Sequence, residues 1–318
     1  MHESESSPRE TWIDFGEGRI AAAPPPEAIL PTVRTIDIPL RFGPAEVPAW
    51  IDAWSSTREA PELRLVLPGS ARLHPSAIVL LAAGIAWRKT LGLRTWMSSS
   101  GGDAFSFLSA IDFHRELGVE PESPTSADRP PPASAVAVPL RRIASLAVAR
   151  EQADATRALL ESLAPAVPPS TVRATQFVFE ELAANIVQHS EAPETGFGLA
   201  IADPDARRIR IAFADAGVGF LASLSSNPEF TGRARDDGEA IRLALDPRVT
   251  RRGTGNIGMG LFLLSSLAER VRGNLWIATG SSLLARRAAE DGSRSDSFTP
   301  TAGWRGAFLC LDAPVPGW

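Results

Sequence analysis

Cysteine is almost missing from the sequence: Cys310 stands alone in 318 residues, so no internal disulfide can form. The four histidines, at positions 2, 74, 114 and 189, are too scattered to give a metal-ligand pattern. An excess of positive charge is missing too. The net charge of -5 and the isoelectric point near 5.5 argue against a sequence-wide attraction to nucleic acid or anionic lipid, leaving open only a local basic patch. Long apolar runs are absent: the longest, Ala77 to Trp87, has eleven residues, about half of what a membrane span requires, and reads as a buried core helix. The N-terminus, MHESESSPRETW, is acidic and lacks the basic-then-apolar order of a secretory signal. These absences predict a soluble protein in a reducing, cytoplasmic setting, whose partners are proteins or small molecules rather than nucleic acid or membrane.

What is present suits two modest cores: 44% of the residues are hydrophobic and the length favours two domains. Proline clusters at Pro24 to Pro26 and at Pro130 to Pro132, the second inside a polar stretch, Glu120 to Ser134, with too little apolar content to fold alone. The expected division is a disordered leader over 1–32, an α/β domain over 33–119, a Pro-rich linker over 120–138 and a second α/β domain over 139–318. In the first domain, strands are expected at Arg34 to Leu40, Leu63 to Leu67 and Leu93 to Met97, and helices at Ala45 to Ser55, Ser76 to Leu91 and Asp103 to Leu117. In the second, helices are expected at Leu140 to Leu163, Thr171 to His189 and Gly258 to Val271. Strands are expected at Gly198 to Ala202, Ile209 to Asp215, Asn274 to Ala278 and Ala307 to Leu311. Ala216 to Asn256 reads as a mobile loop around a short helical stretch, Gly238 to Ala244, and Ala288 to Gly303 as an exposed connection.

Three constellations carry chemistry. On the helix Thr171 to His189, Glu181, Asn185 and His189 are spaced four apart and share one face, which is also what the solvent side of an amphipathic helix would show. The strand ending at Ala214 runs into Asp215-Ala216-Gly217-Val218-Gly219, an acid able to accept from an exocyclic amine followed by glycines that permit close backbone approach; a plain tight turn is the competing reading. Gly253-Thr-Gly255-Asn-Ile-Gly258-Met-Gly260 opens an apolar helix, the arrangement that presents backbone N–H groups to phosphate. No lysine follows these glycines and no parallel βαβ unit precedes them, so neither the P-loop nor the dinucleotide fingerprint applies.

In this order and spacing the three motifs resemble the GHKL ATPases of the Bergerat fold, over roughly Pro139 to Pro316. The resemblance implies an α/β sandwich that binds ATP and Mg²⁺, with Asn185 on the metal, Asp215 on the adenine amine, and Gly217, Gly219, Gly253, Gly255, Gly258 and Gly260 lining the nucleotide. The segment between the last two motifs would be the ATP lid. Glu181, a carboxylate four residues before the asparagine, is similar to the anti-sigma-factor serine kinases, where it would act as general base; His189, four after the asparagine, resembles them too. His189 is equally able to serve the helix end through its dipole. The sequence departs from the family at Ala307, where a threonine usually follows the glycine of the last strand.

Residues from about Val33 to Val119 resemble the STAS fold of anti-sigma-factor antagonists. Leu63-Arg-Leu-Val-Leu-Pro stands as the central strand, and His74-Pro-Ser76-Ala-Ile at the place of the phosphorylatable switch. Ser76 would then be the phosphoacceptor, or equally the N-cap of the helix that follows. Together the resemblances imply a cytoplasmic ATP-dependent serine/threonine kinase in a partner-switching pathway. Its partner would be a STAS-domain antagonist or a sigma factor, and a homodimer is compatible. Two alternatives stand beside it: an ATP-binding sensor module with little catalysis, and an atypical histidine kinase, for which His114 is the one candidate acceptor.

Overall fold

The computed structural model describes residues 11–21, 33–99, 102–119, 136–163, 167–247, 249, 259–289, 291 and 293–315. The chain is mixed α/β. In its N-terminal half, strands β1 (Thr11–Asp14), β2 (Arg19–Ala21), β3 (Val33–Asp37), β5 (Glu62–Leu67) and β7 (Arg94–Ser99) form one sheet in the order β2-β1-β7-β5-β3. β3, β5 and β7 run parallel, and β1 lies antiparallel on β7. Between them come β4 (Arg41–Phe42), helix α1 (Val47–Thr57), β6 (Arg72–Leu73) and helix α2 (Pro75–Thr90), and after them α3 (Asp103–Ala110) and α4 (Phe113–Glu116).

The C-terminal half begins with β8 (Val136–Arg142), α5 (Leu146–Ser162) and α6 (Pro169–His189), then a short 3₁₀ turn, Pro193–Thr195. It continues through β9 (Phe197–Asp203), β10 (Arg208–Ala214), α7 (Gly219–Ser225), α8 (Asp237–Ala244), α9 (Gly260–Arg270), β11 (Asn274–Ala288) and β12 (Arg294–Pro314). Its sheet is antiparallel throughout, in the order β11-β12-β10-β9-β8.

Both faces of this second sheet are covered, and the alternation of its strands shows it. Ile209, Ile211 and Phe213 of β10, with Leu309 and Leu311 of β12, pack with residues of α5, α6 and α9. Phe197, Leu199 and Ile201 of β9, with Ala212, Phe308 and Cys310, join instead the cluster that contains α1, α2 and the N-terminal sheet. Helix α2 is buried from Pro75 through Arg88, as an all-round apolar helix must be when it lies between layers. Its C-terminal Arg88 is fully buried and meets no carboxylate among the described residues. It donates instead to the carbonyls of Arg58, Ala60 and Arg94 and to Thr95 Oγ1, and burial lowers its pKa to about 10.

Several expectations change. The leader contributes β1 and β2: Trp12 and Ile13 are buried, and the buried Asp14 pairs with Arg94 Nη2 at 2.6 Å. A four-residue strand is too short for periodicity to reveal. The helix expected over Leu140 to Leu163 is a strand followed by a helix. Pro139 lies in edge strand β8, at a register irregularity where a missing N–H is tolerated, and Ser145 caps α5 by accepting from Val148 N. The helix over Asp103 to Leu117 breaks at Asp112, whose φ is +65°. The N-cap of α2 is His74 rather than Ser76, its Nδ1 accepting from Ser76 N at 3.2 Å. Much of the expected mobile loop is ordered as α7 and α8, which carry a small cluster of their own around Leu224, Phe230, Ala240 and Leu243. The exposed connection at 288–303 is largely the outer part of the β11–β12 ladder, pinned across its strands by Arg286 Nη2 on Asp296 Oδ2 at 2.7 Å.

Candidate functional site

Helix α6 turns its apolar residues Val178, Leu182 and Ile186 into the core beneath it, which leaves Glu181, Asn185 and His189 partly buried along its edge. Helix α9 arrives across this column at Gly260. A β-carbon there would lie 3.1 Å from Glu181 Cβ and 3.4 Å from Asn185 Nδ2, so any side chain would press on both. Among the described residues, no side chain caps the start of α9. Burial raises the pKa of Glu181, with the charge of Glu180 adding to the effect. A proton-accepting carboxylate beside an uncapped helix start is an arrangement suited to a phosphate and to the hydroxyl that would attack it.

At the far end of the same cleft stands Asp215, on the turn that follows β10. Burial lifts its pKa to about 6, against the pull of the backbone N–H groups of Gly217 and Ala307. The turn is pressed on the end of α6: Val218 N donates to Ser190 O at 2.9 Å, and a β-carbon at Gly217 would come within 2.0 Å of that same carbonyl. Gly217 thus serves close packing and does not line the cleft. Gly219 does line it, and with φ at +77° it starts α7 where a β-carbon would strike Thr279 Oγ1 at 2.6 Å.

The cleft between these ends is partly open to solvent and has a cavity volume of about 80 Å³. Leu224, Ala244, Leu261 and Ala307 supply apolar wall, and Glu181, Asn185, His189 and Asp215 the polar groups. Gly253, Gly255 and Gly258, with Arg251 and Arg252 beside them, lie outside the described residues.

Three participants escape a sequence reading. Thr279 Oγ1, buried on β11, accepts from Phe220 N at 3.1 Å and donates to Gly306 O at 2.8 Å, tying the start of α7 to the last strand. Thr195 Oγ1 accepts from Ala216 N at 3.0 Å, and Trp304 Nε1 donates to Asp215 O at 3.0 Å. None belongs to a motif, and their only sequence signal is being polar or aromatic next to a glycine-rich strand.

The other expected acceptors sit apart from the cleft. Ser76 is fully buried at the start of α2, its hydroxyl 3.0 Å from His74 Nδ1, and burial holds His74 down near pKa 3 with Arg210 and Arg208 reinforcing. His114 is buried on the four-residue α4, 3.0 Å from Ser109 Oγ, with its pKa lowered to about 4 by burial.

The donor set fits the groups that the motifs imply. A buried carboxylate in an apolar slot suits the amine of adenine, while the hard amide oxygen of Asn185 suits Mg²⁺, which keeps waters and phosphate oxygens as its other ligands. Among the described residues no cluster of three or more acidic, histidine or cysteine side chains could hold a metal unaided. Also among the described residues, no helix is long and apolar enough to cross a membrane. No curated protein matches the chain. Residues 146–278, which hold Glu181, Asn185, Asp215 and Gly260, match the family model of the histidine kinase-like ATPase domain, and this part of the chain is supported as an ATP-binding module of that kind.

Proposed function

We propose that the chain is an ATP-dependent protein serine/threonine kinase of the anti-sigma-factor type. It would act in the cytoplasm on a regulatory protein such as a STAS-domain antagonist or a sigma factor. The observation that carries this is Glu181: a carboxylate of raised pKa, in the same cleft as Asn185 and against Gly260 at the start of α9. In the mechanism Asp215 accepts from the adenine amine and the apolar wall excludes water from the base. The first N–H groups of α9 hold phosphate oxygens; Asn185 would hold a Mg²⁺ ion, which when bound would neutralise phosphate charge. Glu181 takes the proton from the attacking hydroxyl, whose oxygen forms the new bond to the γ-phosphorus as the bond to the β-phosphate oxygen breaks. The parallel run β3-β5-β7, with α1 and α2 in its crossovers, supports a STAS-like reading of the N-terminal half.

The test is incubation of the full chain with labelled ATP, Mg²⁺ and candidate partner proteins. Acid-stable label should reach a serine or threonine, and Glu181→Gln should cut transfer by about 10² to 10⁴-fold. Absence of any label in the presence of tight ATP binding would favour the second reading, a module that signals by binding ATP without useful turnover. Ala307 favours that reading, because it lines the cleft at the position where the family that the motifs resemble usually has a threonine. A histidine kinase finds no support in the buried His114.

A further inference from the structure

Asp215 is held from behind by a segment outside the three motifs. Strand β12 runs along the turn so that Trp304, Arg305 and Gly306 each meet one or more of its three residues. Trp304 Nε1 donates to Asp215 O at 3.0 Å and Arg305 Nε donates to Ala216 O at 3.2 Å. A β-carbon on Gly306, whose φ is +92°, would lie 2.3 Å from Asp215 O and 2.5 Å from Gly217 N. There is no slack between the two segments, so a shift of one displaces the other.

The same segment is gripped from the N-terminal half. Asp52 Oδ1 on α1 accepts from Ala302 N at 2.6 Å and Ser55 Oγ donates to Ala302 O at 3.1 Å, which fixes both backbone polar groups of the residue two positions before Trp304. The buried ring of Trp304 lies 6.4 Å from that of Trp54, which stacks at 5.9 Å on Trp50, itself 5.2 Å from Phe42. A continuous aromatic run therefore leads from β4 through α1 to the back of Asp215.

We propose that Trp304 is a positioning residue for Asp215, and that α1, acting through Asp52 and Trp54, sets how tightly the cleft holds a nucleotide bearing the adenine amine. The proposal rests on the ATP-site reading above and adds its regulation: whatever repositions α1 alters adenine affinity, and by linkage nucleotide binding alters the hold of α1 on β12.

The experiment compares affinities for ATP and inosine triphosphate, which lacks the exocyclic amine, in the full chain. Trp304→Phe keeps a six-membered aromatic ring and removes the pyrrole part with its N–H; it should weaken ATP about tenfold and leave inosine triphosphate unchanged. Asp52→Ala, at an exposed position away from the cleft, should weaken ATP by roughly threefold, and Asp52→Asn, which keeps the accepting oxygen, should restore it. Thermal melting shows whether each variant folds, and if Trp304→Phe does not, the Asp52 pair decides. An unchanged ratio of the two affinities in variants of a protein that binds ATP overturns the coupling, as does an equal loss for both nucleotides. A wild-type chain that binds neither nucleotide overturns the ATP site itself.

Discussion

The two ends of the cleft treat a carboxylate in opposite ways. Asp215 is enclosed and fixed through its backbone on every side, by Ala307, Thr195 through Ala216, and Trp304. Glu181 stands on the edge of a helix, only partly covered, with Glu180 next to it paired outward to Arg150 at 3.1 Å. Both carboxylates have raised pKa values, and burial is the main cause in each. What differs is freedom: the enclosed acid is built to recognise one geometry, and the half-open one can exchange a proton with a group that comes and goes.

The largest effect should come from separating these roles. Asp215→Asn exchanges a charged acceptor for a weaker neutral one and should lower ATP affinity by about 10²-fold, whereas Glu181→Gln should change it by no more than about twofold, as read by calorimetry. Equal losses would break the contrast. A pH series sharpens it next. Asp215 must be ionised to accept from an amine, so ATP binding relative to inosine triphosphate should hold above its pKa of about 6 and fall about tenfold per unit below it.

The nucleotide-free protein should show the reverse sign. Because the folded pKa of Asp215 lies above the ordinary carboxylate value, the folded state binds the extra proton between roughly pH 4 and 6, and stability contributed by this group is lost as pH rises through that window. Asp215→Asn should therefore stabilise the empty protein at pH 7.5 by about 1 to 3 kcal/mol, with the gain fading toward pH 4. Denaturant melts at both pH values check this. The smallest effect is expected from Ala307→Thr, which restores a hydroxyl to the wall and should raise ATP affinity or turnover by roughly two- to fivefold.

Much of the cleft is legible in the sequence because its parts are local. The four-residue spacing of Glu181, Asn185 and His189 fixes a shared helix edge, and an acid between a strand and two glycines fixes a turn that carries a carboxylate. What escapes is whatever depends on partners far along the chain. Trp304 meets Asp215 across 89 positions and Asp52 meets Ala302 across 250, and no local pattern encodes either contact. The same holds for β1, whose place beside β7 depends on Asp14 finding Arg94, 80 positions away. The β11–β12 ladder was hidden for another reason: its outer rungs are charged and polar, so they read as loop although cross-strand pairing such as Arg286 with Asp296 holds them as strand.

Helix α2 has a practical consequence. A fragment cut at the proline-rich stretch and beginning near β8 would retain the whole cleft yet expose Phe197, Leu199, Ile201 and Phe308, which α1, α2 and their neighbours cover in the full chain. Such a fragment should aggregate or need detergent, and ligand-binding measurements made on it would report a sheet that has lost half of its support.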